Sequence, residues 1–240
     1  MNALAERHAG FEALHASGCF IIPNPWDVGS ARLLAACGAR AGHAFTLGKP
    51  DGGRVTRDEA LAHAQDLIAA TPLPVSGDFE NGFADDSDGV AETVRLAGEA
   101  GLSGCSIEDT QMVGGNPPYP FDLAVERVRA ACAAARALGR PFVFCARADG
   151  IMNGHYDTEE AIRRLRAFEG AGADLLYAPL PPDMAALRRI VASVTKPFNA
   201  LAAGSFTSVS LQQFAEAGVR RVSIGSAMAR ATHKLMIDAT

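Results

Sequence analysis

The sequence predicts an α/β chain of the (β/α)₈, TIM-type barrel class. Three observations carry that expectation. Short apolar, β-branched runs alternate with long alanine-rich helical patterns along the whole 240 residues. The runs lack polar alternation, as parallel strands covered on both faces do. Several helices also close on a glycine that leads straight into the next strand, in "EAGLSGCSIED", "GAGADLLYAPL" and "EAGVRRVSIGS".

Taken in order, the chain opens with a helix at about 2–17, followed by the strand candidate "CFIIPN" (Cys19 to Asn24). Further strands are read at Leu73–Phe79, Gly104–Asp109, Phe142–Arg147, Leu175–Leu180, Phe198–Ala203 and Arg221–Ser226. Between them lie amphipathic stretches such as "LAVERVRAACAAARALG", where Leu123, Val125, Val128, Ala131, Ala135 and Leu138 recur at near-helical spacing. That makes seven strands. An eighth is needed between Cys37 and Thr46, so strand 2 is expected to be short or irregular. A doubly wound open sheet is the competing architecture, but no G-x-G-x-x-G or G-x-x-x-x-G-K-[ST] follows any strand. With no linker or composition shift, residues 1–240 are expected to form one barrel domain.

Composition narrows the function. A formal net charge of −5 and the lack of any Lys/Arg cluster argue against nucleic-acid binding. No apolar stretch is long enough to span a bilayer, and no signal-peptide core precedes Gly18. Five cysteines without a C-x-x-C pair suggest neither a disulfide framework nor a zinc site, so a reducing cytoplasm is expected.

In barrels of this class, chemistry gathers at the C-terminal strand ends. Those ends carry Asn24 and Asp27, Asp78 and Glu80, Glu108 and Asp109, Arg147 and Asp149, Asn199, and Ser223 with Ser226. So many carboxylates cannot all ionise together without a cation. All-oxygen ligands favour Mg²⁺, with Mn²⁺ as a substitute. Each carboxylate taken alone is read equally well as a helix cap, and Asp27 ahead of "VGSARLLAACG" is the clearest case. As a set, Asp78, Glu80, Glu108 and Arg147 point to a site. The six histidines are scattered and read as structural or surface residues. Lys196 and Lys234 are badly placed for a Schiff base, and no serine sits in a G-x-S-x-G elbow. The turns "AAGS" and "IGSA" suit a phosphate or carboxylate, or simply a tight turn. Trp26 is either substrate wall or packing.

Together "FIIPNPWDVGSARLL", "LGKPDGG", "PVSGDFENGF", "GCSIED", "FCARADG" and "GVRRVSIGSAMARA" resemble the isocitrate lyase/phosphoenolpyruvate mutase superfamily over nearly the whole chain. The resemblance implies a modified TIM barrel that binds Mg²⁺ and a small α-keto or 2-hydroxy carboxylic acid, assembled as a dimer or tetramer. It implies C–C or P–C bond cleavage through a metal-stabilised enolate. By position, Asp78, Glu80 and Glu108 match the metal-site acids, Arg147 the site arginine, and Asp51 the acid that approaches the reacting group. Trp26, Asn24, Asn199 and Ser223 are then the expected substrate contacts.

Two departures shape the expectation. The loop "TQMVGGNPPYPFD" (Thr110 to Asp122) has no Lys-Cys-Gly-His-like motif, which sets aside isocitrate and methylisocitrate lyase. Decarboxylation, hydrolysis, or cleavage using Asp51 or a water remain. The substrate-gripping stretch usual on the second strand is also missing, and Gly42 and His43 are the only residues placed to replace it. The alternatives are a barrel that has lost catalysis and binds a metabolite or partner, and a phosphate-binding barrel enzyme. The family often continues into a helix exchanged between subunits beyond the point matching "ATHKLMIDAT", so the oligomer is expected to be built differently here.

Overall fold

A computed structural model describes residues 3–35 and 53–239. The elements run α1 (Ala3–Leu14), β1 (Phe20–Ile22), α2 (Val28–Ala35), α3 (Arg57–Ala70), β2 (Ser76–Asp78), α4 (Ser87–Glu99), β3 (Gly104–Glu108) and α5 (Phe121–Ala137). They continue with β4 (Val143–Arg147), α6 (Thr158–Gly170), β5 (Leu175–Tyr177), α7 (Met184–Ala192), β6 (Phe198–Leu201), α8 (Leu211–Glu216), β7 (Arg221–Ser223) and α9 (Ala227–Asp238).

All seven strands are parallel and lie in the order β1-β7-β6-β5-β4-β3-β2. First and last strands are therefore neighbours, and β1 and β2 form the two edges. This curled parallel sheet is that of a TIM-like fold. The expected strand at Cys37–Thr46 lies outside the described residues, as do Gly42, His43 and Asp51.

Local chemistry explains the boundaries. Asp86, Asp157 and Asp183 cap α4, α6 and α7 by accepting the N–H of Gly89, Glu160 and Ala186. Asp27 accepts the Ser30 N–H at 2.6 Å at the start of α2, as its position in the sequence suggests. At the other ends, Gly101, Gly172 and Gly218 take φ of 98°, 108° and 86°. The next residues, Leu102, Ala173 and Val219, then donate back to Ala97, Phe168 and Phe214 in the 6→1 pattern that turns the chain toward a strand. The strands are shorter than the apolar runs: β1 stops before Pro23, which has no N–H, and β5 before Pro179 and the left-handed Leu180.

Strand residues alternate between two cores. Phe144, Ala146, Leu176, Phe198, Ala200 and Val222 pack outward under the helices. Ile22, Val143, Cys145, Leu175 and Tyr177 form a separate inner cluster, plugged by fully buried Phe11 of α1. In β4 that parity puts Arg147 on the inner side, two residues beyond Cys145.

α1 is also pinned by buried His8, whose Nδ1 lies 2.9 Å from Ser103 Oγ while its Nε2 has no partner. Burial, with Arg140 and Arg7 nearby, pushes its pKa from 6.5 down to about 4. Its neutral form is thus favoured by folding. That contribution is complete above pH 6.5 and is lost as pH falls toward 4. Urea unfolding at a series of pH values is expected to show stability falling over that window, and the His8→Gln variant is expected to flatten the fall.

Candidate active site

The centre of the site is Arg147, the last residue of β4. It is 9% exposed and held by three carboxyl groups. Nε and Nη2 donate to Asp149 Oδ1 and Oδ2 at 3.2 and 2.6 Å, a two-pronged pair with a fully buried carboxylate. Nη1 donates to Asp78 Oδ2 at 2.7 Å, and Nη2 lies 3.1 Å from Glu108 Oε2. Burial works against the guanidinium charge, but Asp149, Asp78 and Glu108 together outweigh it and push its pKa up. Burial also pushes the Glu108 carboxyl well above the usual range. Arg147 opposes this, while Asp149 and Asp78 add to it.

Asp78 faces outward from this cluster. Its side chain is 55% exposed, and Oδ1 accepts only long bonds, from Ser106 Oγ and the Glu80 N–H, both at 3.3 Å. Asp78 and Arg147 line a cavity of about 540 Å³ at the C-terminal mouth of the sheet. Asn24, Asn199 and Ser223 line it too, and Asn199 Nδ2 donates to Ser223 Oγ at 3.0 Å.

Glu80 and Trp26 are placed differently. Glu80 has φ 47°, in a turn where Gly82 and Phe83 are left-handed as well. Its carboxylate lines a neighbouring recess and accepts the Gly53 N–H at 2.9 Å, two residues after Asp51. The turn is over-determined: Glu108 N–H donates to Glu80 O, Asn81 Nδ2 donates to Tyr119 OH, and Arg127 donates to the carbonyls of Asn81, Ala84 and Asp85. Trp26 is half-buried and does not line the cavity. Its N–H and that of Asp27 both donate to Ser30 Oγ, so Trp26 belongs to the turn that opens α2.

A second layer stands behind Arg147. Asp109 Oδ1 accepts the Asp149 N–H at 2.8 Å, and Oδ2 accepts Tyr156 OH and Arg164 Nη1 at 2.9 and 3.0 Å. Tyr156 lies so close to Gly150 that a Cβ there would sit 2.1 Å from its ring, which is why "ARADG" needs its glycine. Burial, reinforced by Asp149, raises the Asp109 pKa to about 6.

The strand-end pattern marked Asp149 without giving it a partner, and it passed over Ser106, Tyr177 and Arg221. The usable signal was parity: Tyr177 and Arg221 sit in register with Arg147 and Asn199. In "RVS" the alternation of Arg221 and Ser223 around Val222 marks an inward polar pair.

Among the described residues, no three His, Cys, Asp or Glu side chains are grouped to enclose a metal directly. The donors nonetheless suit Mg²⁺, which retains waters and takes one or two carboxylates. Asp78 offers a weakly used, cavity-facing oxygen, and the cluster has three carboxyl groups against one guanidinium.

A parallel sheet with an acid–arginine cluster at its C-terminal mouth defines a barrel enzyme site. Residues 11–240 match the family model described as phosphoenolpyruvate phosphomutase. The crystal structure of a Burkholderia cenocepacia J2315 protein, provisionally described as a lyase or mutase, superposes with a TM-score of 0.94 at 44% identity, covering 100% of this chain and 88% of that one. The oxaloacetate decarboxylase of Ectopseudomonas mendocina (strain ymp) is 30% identical over 244 residues, 97% of this chain and 83% of that protein. An uncharacterized protein of Mycobacterium tuberculosis (strain ATCC 25618 / H37Rv) is 34% identical over 229 residues, 90% of this chain and 81% of that one. The chain belongs to the isocitrate lyase/phosphoenolpyruvate mutase superfamily, whose members cleave or rearrange C–C or P–C bonds in carboxylic acids, and it is a lyase-type enzyme.

Replacing Asp149 leaves a buried guanidinium without its bidentate partner. Asp149→Asn is expected to lower stability by about 3–5 kcal/mol in urea unfolding.

Proposed function

We propose that this chain is a Mg²⁺-dependent lyase that breaks a C–C bond in a small α-keto or 2-hydroxy carboxylic acid through an enolate, with Mn²⁺ able to replace Mg²⁺. The observation that carries the reading is the exposed Asp78 carboxylate beside a buried Arg147 that three acids lock in place. Breaking the bond leaves its electron pair on the carbon next to the carbonyl, and negative charge develops on the carbonyl oxygen. When bound, Mg²⁺ supplies Lewis-acid charge to that oxygen.

Asp78 would hold the ion, with Glu108 supporting it from the Arg147 cluster, while Glu80, whose carboxylate lines the neighbouring recess, would reach it only through water. Arg147 contributes a positive charge that needs no reorganisation, because Asp149 fixes both its Nε and its Nη2. Asn24, Asn199 and Ser223 orient the substrate from the opposite wall, and Gly42 and His43 complete the grip. Asp51 handles the proton at the reacting carbon. Glu80 favours that role by anchoring Gly53, two residues from Asp51.

A P–C substrate is the second reading, supported by Gly204, Thr207, Ser226 and Arg230, which line the same cavity. One barrel domain carries the site. The chain works in the cytoplasm as a homo-oligomer, a dimer or tetramer. Self-association is supported by Leu235, Met236 and Ile237, large apolar residues exposed in succession on α9.

The test is turnover of a panel of four- and five-carbon keto and hydroxy acids, with pyruvate and glyoxylate release followed by coupled assay. Asp78→Ala is expected to reduce kcat/KM about 10²–10³-fold, with a comparable loss on chelation. Unchanged turnover in Asp78→Ala would sink the reading.

A further inference from the structure

Arg221 opens β7 and is 6% exposed, yet it lines the cavity. The other buried arginines among the described residues are all matched by oxygen acceptors. Arg147 has three carboxyl groups, Arg164 has Asp109 and Glu160, and Arg127 has three backbone carbonyls. Arg221 has one amide oxygen, Asn199 Oδ1 at 2.7 Å, and the sulfur of Cys145. No carboxylate among the described residues lies within 4.0 Å of it. A buried guanidinium with five donors and no counter-ion is costly, and burial accordingly pushes its pKa down. Cys145, Tyr177 and Asp78 offset only part of that cost, and Asn199 Nδ2 and Tyr177 are both bonded to Ser223. The cavity thus has an acidic pole at Asp78, on edge strand β2, and a cationic one at Arg221, on β7 beside the other edge.

We propose that Arg221 is a carboxylate anchor. It receives a second carboxylate of the substrate, remote from the keto- or hydroxy-acid end that Asp78 and Arg147 address, which makes the substrate a dicarboxylate. The proposal rests on the reading of the Asp78 end given above. An anion here supplies the missing counter-ion, and Asn199 holds the guanidinium in place by accepting from Nε.

Malate and lactate share the hydroxy-acid end and differ in the second carboxylate. They are to be titrated calorimetrically into the protein with Mg²⁺. Wild type is expected to bind malate at least about tenfold more tightly than lactate. Arg221→Met is expected to weaken malate to the level of lactate while leaving lactate unchanged. Arg221→Gln, which keeps a polar group beside Asn199, carries the same expectation if the methionine variant does not fold. A wild type that fails to bind malate or does not prefer it, or variants that keep the preference, would overturn the anchor. Malate binding that is lost in the variants but indifferent to Mg²⁺ and to Asp78→Ala upholds the anchor while removing the reading of the Asp78 end. Binding that needs Mg²⁺ and Asp78 but ignores Arg221 does the reverse.

Discussion

The fully buried Asp149 carboxylate holds Arg147 from two sides, and everything at the mouth of the sheet is arranged around that pair. With Nε and part of Nη2 committed to Asp149, the guanidinium plane is fixed, and its remaining donors reach Asp78 on β2 and Glu108 on β3. One side chain thereby ties together the ends of three neighbouring strands. The same charges set the chemistry. Burial and the neighbouring Asp149 and Asp78 hold Glu108 toward its protonated form, while the largely exposed Asp78 lines the cavity.

Rigidity comes from the layer behind. Asp109 receives the Asp149 N–H, the Tyr156 hydroxyl and Arg164, so the loop after β4 is held by side chains from α6 and its approach. The turn after β2 is held in left-handed conformations by Tyr119 and Arg127, reaching over from α5 and the loop before it. A site that must stabilise developing charge gains from such fixed dipoles, because nothing has to reorient when the charge appears.

Much of this was legible in the sequence, for physical reasons that differ from place to place. Helix-closing glycines at 101, 172 and 218 are required by left-handed backbone, so they punctuate the chain wherever a strand follows. The acids and Arg147 were visible as charges at the ends of apolar runs. Burial partners were not. That Asp149 rather than solvent answers Arg147, or that Glu80 turns to Gly53, depends on χ angles and on a strained turn that no local pattern encodes. Arg221 was hidden for another reason. At the start of a strand it reads as a solubilising charge, and only the register Arg147–Tyr177–Asn199–Arg221 brings it inside.

The central claim is that the Asp78–Arg147 end is an enolate site dependent on a divalent cation. Oxalate is a planar mimic of the pyruvate enolate, and its titration into metal-free protein, with and without Mg²⁺, tests that claim most directly. The account predicts oxalate binding that appears only with Mg²⁺ and is lost in Asp78→Ala, with the fold intact. Oxalate binding of equal strength without Mg²⁺, or unaffected by the Asp78 substitution, would contradict it.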